Sequence, residues 1–161
     1  MQNAKDSFYM ALRTRLVALN PSRTILLRGA VRPGILVEEA EAPLSQDPPD
    51  VFILRWSNIG KDSAQPLPME IGECEIVYQT QGTQAFGGLD RGRLLSAMDR
   101  ELCSIVEPPE TQMYDYSSNP PRELSTRVFW DEPMFCPTVT QREMIGRSAK
   151  IRIYSYGRRT E

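Results

Sequence analysis

Carboxylates, thiols and one glycine-rich turn are the residues of this sequence with chemical reach, and their spacing limits what they can do. Asp99 and Glu101 lie two apart in a segment of helical period, so their side chains point about 200° apart and cannot share a target. Asp131-Glu132 and Glu38-Glu39 are adjacent pairs in extended or loop context, where neighbours face opposite ways, so only one of each pair can enter a given site. Gly87-Gly88-Leu89-Asp90-Arg91-Gly92-Arg93 precedes a helix, the place where backbone N–H groups attract anions. It lacks the GxxxxGK spacing of a phosphate loop, and Asp90 would repel a phosphate, so it reads as a flexible lead-in to the helix. Cys74, Cys103 and Cys136 are an odd number at wide spacing without a CxxC pair. Free, buried thiols are expected, with Cys103 deep in the apolar stripe of the second helix.

The chain has 161 residues and no histidine. That excludes a Ser-His-Asp triad, a Cys-His pair, His-ligated zinc or haem, and imidazole acid–base work at neutral pH. No catalytic, cofactor-binding or metal-binding residue is assigned, no cofactor is expected, and the reading is that the protein is not an enzyme. A hydrophobic share of 40% with 25% charged residues is too apolar for wholesale disorder and fits one soluble globular domain spanning 1–161. The first ten residues, MQNAKDSFYM, hold no apolar signal core, and Val51-Phe52-Ile53-Leu54 falls far short of the ~18 residues a membrane helix needs. A soluble protein made in a cytoplasm, with no membrane partner, is the expectation.

The elements that position these residues follow from periodicity. Phe8, Leu12, Leu16 and Leu19 recur at helical spacing until Asn20-Pro21, which predicts a first helix docked on a sheet. Strands are predicted at 24–28, 31–38 (broken at Pro33-Gly34) and 51–57, with solvated loops at 40–50 and 60–68. The clearest strand is 71–80, where Cys74, Ile76, Tyr78 and Thr80 alternate with Glu73, Glu75, Val77 and Gln79. A second helix over about 90–106 buries Leu94, Leu95, Met98, Leu102, Ile105 and Val106 and stops at Pro108-Pro109. Residues 107–124, EPPETQMYDYSSNPPREL, read as a proline-rich loop or arm. Met113, Tyr114 and Tyr116 would either dock on a partner from it or fold as a lid on the core. Strands at 125–130 and 148–156, then a short basic tail at 157–161, complete the chain. The sum is an α+β domain: a mixed or mainly antiparallel sheet with two helices packed on one face.

A formal charge of −2 hides an internal pattern. Residues 1–32 carry +5, 33–75 carry −7, 76–100 carry +1, 101–136 carry −5 and 137–161 carry +4. Such blocks either present a basic face opposite an acidic one, which suits head-to-tail contacts between copies, or intermix in space and merely solvate the surface. Arg147, Lys150, Arg152, Arg158 and Arg159 with Tyr154 and Tyr156 also suit nucleic-acid contacts. A basic edge strand that discourages aggregation is the simpler account.

The order of elements resembles the small tail-terminator or tail-completion proteins of long-tailed bacteriophages. The likeness runs from about 6 to 157 and is carried by DSFYMALRTRLVALNP, RTILLRG, CEIVYQTQGTQAFGGLDRGRLLSAMDREL and SAKIRIYSYG. It implies a structural virion protein of the tail or neck, assembled in the host bacterial cytoplasm. Copies of it, typically six, would form a ring that caps the tail tube and ends its polymerisation. The ring would join the tail to the neck or head. Implied partners are further copies, the tail tube protein and a neck or head-completion protein, with DNA at most passing through the lumen. Arg147, Arg152, Arg158 and Arg159 are assigned to one half of the subunit contact, and Glu38, Glu39 and Glu41 to the other. The alternative function is a cytoplasmic adaptor or nucleic-acid-binding module using the basic C-terminal strand.

Overall fold

A computed structural model describes residues 1–41, 46–64 and 66–156. Helix α1 (Gln2–Leu19) buries Ala4, Phe8, Leu12 and Leu16 completely, one residue per turn along one face. Asn20 leaves helical geometry at φ −143° before Pro21, and its N–H closes the last turn on the Leu16 carbonyl. Helix α2 (Arg91–Ile105) buries Leu95, Met98, Leu102 and Ile105, the 3-4-3 spacing of a single stripe.

Among the described residues, ten strands complete the fold. Strands β1 (Thr24–Leu27) and β2 (Ala30–Pro33) form a separate two-stranded ribbon. The main sheet holds β3 (Ile35–Val37), β4 (Phe52–Asp62), β5 (Met69–Thr80), β6 (Glu110–Asp115), β7 (Arg122–Trp130) and β10 (Met144–Tyr156), in the order β3-β4-β5-β10-β7-β6. Only β3 and β4 run parallel, so the sheet is mixed but mostly antiparallel. The short strands β8 (Met134–Phe135) and β9 (Val139–Gln141) pair with β10 on the flank that β7 occupies farther along.

Alternation decides which face is covered. Cys74, Ile76, Tyr78 and Thr80 of β5 and Ala149, Ile151, Ile153 and Ser155 of β10 point inward under both helices and are buried. The sheet curls around α1. Phe8 meets the edges of two indole rings, Trp56 of β4 at 6.0 Å and Trp130 of β7 at 5.0 Å. Those strands are three spacings apart, about 14 Å on a flat sheet, so one ring reaches both only if the sheet bends into a half-barrel. The α+β class with two helices on one face is thereby met.

Four expectations are corrected. Residues 60–68 are not all loop, because β4 runs on to Asp62 as an exposed ribbon laddered against β5, after a bulge between Trp56 and Asn58. Residues 107–124 contain β6 and the start of β7 in place of an irregular arm. Pairing across the hairpin and the Gln112 amide on the Leu124 and Thr126 carbonyls order it. The basic C-terminal strand is not an edge: β10 pairs with β5 throughout and with three strands on its other side. Cys103 is exposed, since it follows Leu102 by a turn of about 100° that carries it off the buried stripe.

Candidate functional site

The residues assigned to the subunit contact sit mostly in ion pairs within the chain. Glu38 and Glu39, on opposite sides of the chain after β3, go to different partners: Glu38 to Arg55 at 3.1 Å and Glu39 to Lys5 at 3.2 Å. Lys5 also lies over the Trp56 ring, 5.1 Å from its centroid. Glu41 pairs with Arg32 and accepts a hydrogen bond from the Tyr9 hydroxyl. Burial and then the Glu41 carboxylate push the Tyr9 phenol above its ordinary pKa. Arg147 points inward toward α2, 3.3 Å from Asp99, which also accepts a 2.5 Å bond from the buried Tyr78 hydroxyl. Arg152 is exposed beside Glu73 in the β10–β5 register, as Lys150 is beside Glu75. Arg158 and Arg159 lie outside the described residues.

The alternating charge blocks therefore meet inside one chain. Lys5 and Arg32 of the first basic block close on Glu39 and Glu41 of the first acidic block. Arg23 reaches Glu101 of the second acidic block. Asp99 and Glu101 do face different partners, as their spacing demands. Acidic neighbours also dilute the basic stripe on β10, which weakens its field for a nucleic acid.

The proposed arm residues are held to the body of the fold. Met113 is buried, and Tyr114 and Tyr116 are half-buried with ring centroids 6.1 Å apart. Ser7 of α1 bonds both polar groups of the Tyr114 backbone: its Oγ accepts from the N–H at 2.9 Å and donates to the carbonyl at 3.4 Å. Arg15 adds bonds to the carbonyls of Ile105, Pro108 and Glu110. Helix α1 thus occupies the outer edge of β6 that another strand would otherwise extend.

Apolar side chains stay uncovered in several places, Ile59, Met134 and Phe129 among them, and one group of them lies toward the end of the sheet where β5 finishes at Thr80. Leu26 and Val31 are partners across the β1–β2 ribbon and are 70% and 71% exposed. The ribbon is tied to this end by Arg23, whose guanidinium donates to the Asp50 carbonyl while the Asp50 N–H bonds Gln79. Val139 of β9, opposite Gly146, is exposed at the same end. So are Phe86 and Leu89, the latter 91% exposed, on the connection from β5 to α2.

That connection is not the flexible lead-in its composition suggests. The buried Asp90 carboxylate accepts from the Thr83 N–H at 2.9 Å and its hydroxyl at 2.8 Å. These bonds, the backbone one foremost, hold its pKa below the ordinary aspartate value. A single 3-10 turn (Gln84–Phe86) follows, and Gly88 returns an N–H to the Thr83 carbonyl. Gly82 has φ +77°, and a Cβ there would meet Asp90 Oδ1 at 2.7 Å. The result is a fixed knob with two apolar side chains at its surface. The clue in the sequence was the pair Phe86 and Leu89 set among glycines.

Among the described residues, no cluster of three or more Cys, Asp or Glu is arranged to hold a metal ion. No helix among them is long and apolar enough to cross a membrane. No protein-family model matches the chain, and no curated protein matches it. Among solved structures the chain is similar to a chain of the virion of a native gene transfer agent particle, at 13% identity and a TM-score of 0.49. The match covers 95% of this chain and 94% of that one.

Proposed function

We propose that this protein is a structural component of a phage-like tail, a non-enzymatic ring of identical copies that caps the tail tube, ends its polymerisation and joins it to the neck or head. The observation that carries this reading is the apolar end of the sheet. Leu26, Val31, Phe86, Leu89 and Val139 stand exposed on ordered elements toward that end. Exposed apolar residues held on ordered elements are suited to protein contacts. The element order, which resembles that of tail terminators, supports the finer role.

Six copies, a tube subunit on one side and a neck or head-completion protein on the other belong to this proposal, with DNA passing at most through the lumen. The charge pairing found within the chain moves the expected subunit contact from ionic to mainly apolar. Negative-stain images of the purified full chain test the reading. Rings of uniform diameter with a central hole are expected, and a field of isolated compact particles at micromolar protein would overturn it.

A further inference from the structure

The knob at the β5–α2 connection has a counterpart elsewhere on the same molecule. Where the two edges of the curled sheet approach each other across α1, a groove of about 550 Å³ opens. Tyr9 and Met10 of α1, Val37 of β3, the following Ala40, Trp56 of β4 and Tyr116 beyond β6 line it. Its walls are mainly aromatic and aliphatic, and of its charged groups Lys5 pairs with Glu39 while Asp6 leaves the lining one charge negative. The knob has the complementary character: Phe86 and Leu89 exposed, with Arg91 and Arg93 in the helix turn beside them. None of the knob residues lines the groove, so one chain does not fill its own.

We infer that the Phe86–Leu89 knob of one copy seats in the Tyr9–Trp56–Tyr116 groove of the next, a mainly apolar contact with Arg93 facing Asp6. This deepens the ring reading by naming the contact, and it rests on that reading only for closure. Knob and groove occupy different surfaces, so the contact is heterologous: each copy gives its knob to one neighbour and its groove to another. Such contacts close into a ring or run on as an open chain, according to the rotation between copies. The hydrogen bonds of Thr83 to Asp90 hold the knob in shape before binding, which limits the ordering entropy lost on association.

The test uses two kinds of variant in the full chain. Leu89→Asp removes the most exposed apolar side chain of the knob and sets a carboxylate against an apolar wall beside Asp6. Met10→Arg blocks the groove and repels the knob arginines. Leu89 is 91% exposed, so its variant folds; Ala40→Arg, at an exposed position, is the second groove variant should Met10→Arg disturb α1. Thermal unfolding checks that each is folded. By light scattering, each variant alone is expected to be monomeric, with association weakened at least about 30-fold.

A mixture of a knob variant and a groove variant is expected to give a one-to-one dimer and nothing larger. One intact knob then meets one intact groove, and both free ends are dead. Wild-type mass retained by the single variants, or a mixture that stays monomeric, overturns the inference. Rings that persist in the single variants would overturn it while leaving the ring reading intact. Wild-type chains that grow without closing, together with a dimer in the mixture, would uphold the contact and refute the ring.

Discussion

Phe8 is the residue on which the curl of the sheet turns, and Phe8→Ala tests that directly. The side chain is fully buried, and its edge-to-face contacts join Trp56 of β4 to Trp130 of β7. Truncation leaves a cavity between the two wings of the sheet, and a Phe→Ala change at such a site costs about 3–5 kcal/mol. Against a total of about 5–15 kcal/mol for a typical domain, that is a large share. At about 2–4 °C per kcal/mol for a chain of this size, Tm should fall by about 6–20 °C. Phe8→Leu keeps most of the volume but loses both aromatic contacts, so about 1–3 kcal/mol is expected. Urea unfolding followed by tryptophan fluorescence is the assay, because the two tryptophans of the chain are the two rings that Phe8 touches. Val17→Ala, on the half-exposed face of α1, is the control and should change stability by no more than about 0.5 kcal/mol. A Phe8→Ala loss below about 1 kcal/mol, or no greater than that of the control, would refute the role given to Phe8.

Two further outcomes follow from the site. Asp90 titrates below its ordinary value of 3.8 in the folded protein, so its stabilising effect is complete above that pH and fades as pH falls through the lower folded value. The Tm gap between wild type and Asp90→Asn should therefore stay constant from about pH 7 to pH 5 and narrow in stronger acid; a gap that widens as the pH falls below about 5 would contradict the lock. Thiol labelling should give three classes: Cys103 first, Cys136 more slowly, and Cys74 only on unfolding, since Cys74 is buried and its thiol is pushed well up by burial. Cys103 should still react more slowly than a free thiol, because partial burial and then Asp99 raise its pKa.

Periodicity made α1, α2 and β5 readable, because Phe8, Leu12 and Leu16, or Cys74, Ile76 and Tyr78, repeat the geometry of their own element. The elements that escaped are those specified by distant partners. Strand β6 sits in a run of prolines and polar residues, and what orders it is Arg122–Trp130 on one side and Ser7 on the other, the latter 107 residues away from Tyr114. The outer half of β4 is polar and exposed, and only its ladder with β5 makes it a strand.

Charge gives the same lesson. The blocks of opposite sign looked suited to joining copies, but Lys5–Glu39 and Arg23–Glu101 close across 34 and 78 residues, separations that no local pattern encodes. The knob was legible in part. Phe86 and Leu89 among glycines are an apolar pair in a polar turn, but that Asp90 folds back on Thr83 to fix them depends on geometry that composition does not show.

The central claim is that copies of this chain close on one another. Native mass spectrometry of the full protein over a dilution series measures it most directly. One closed species is predicted, at about 110 kDa for six copies of an 18.3 kDa chain, exchanging with monomer on dilution without a ladder between them. A mass of 18.3 kDa at every concentration, or an unbroken ladder of growing oligomers, would contradict it.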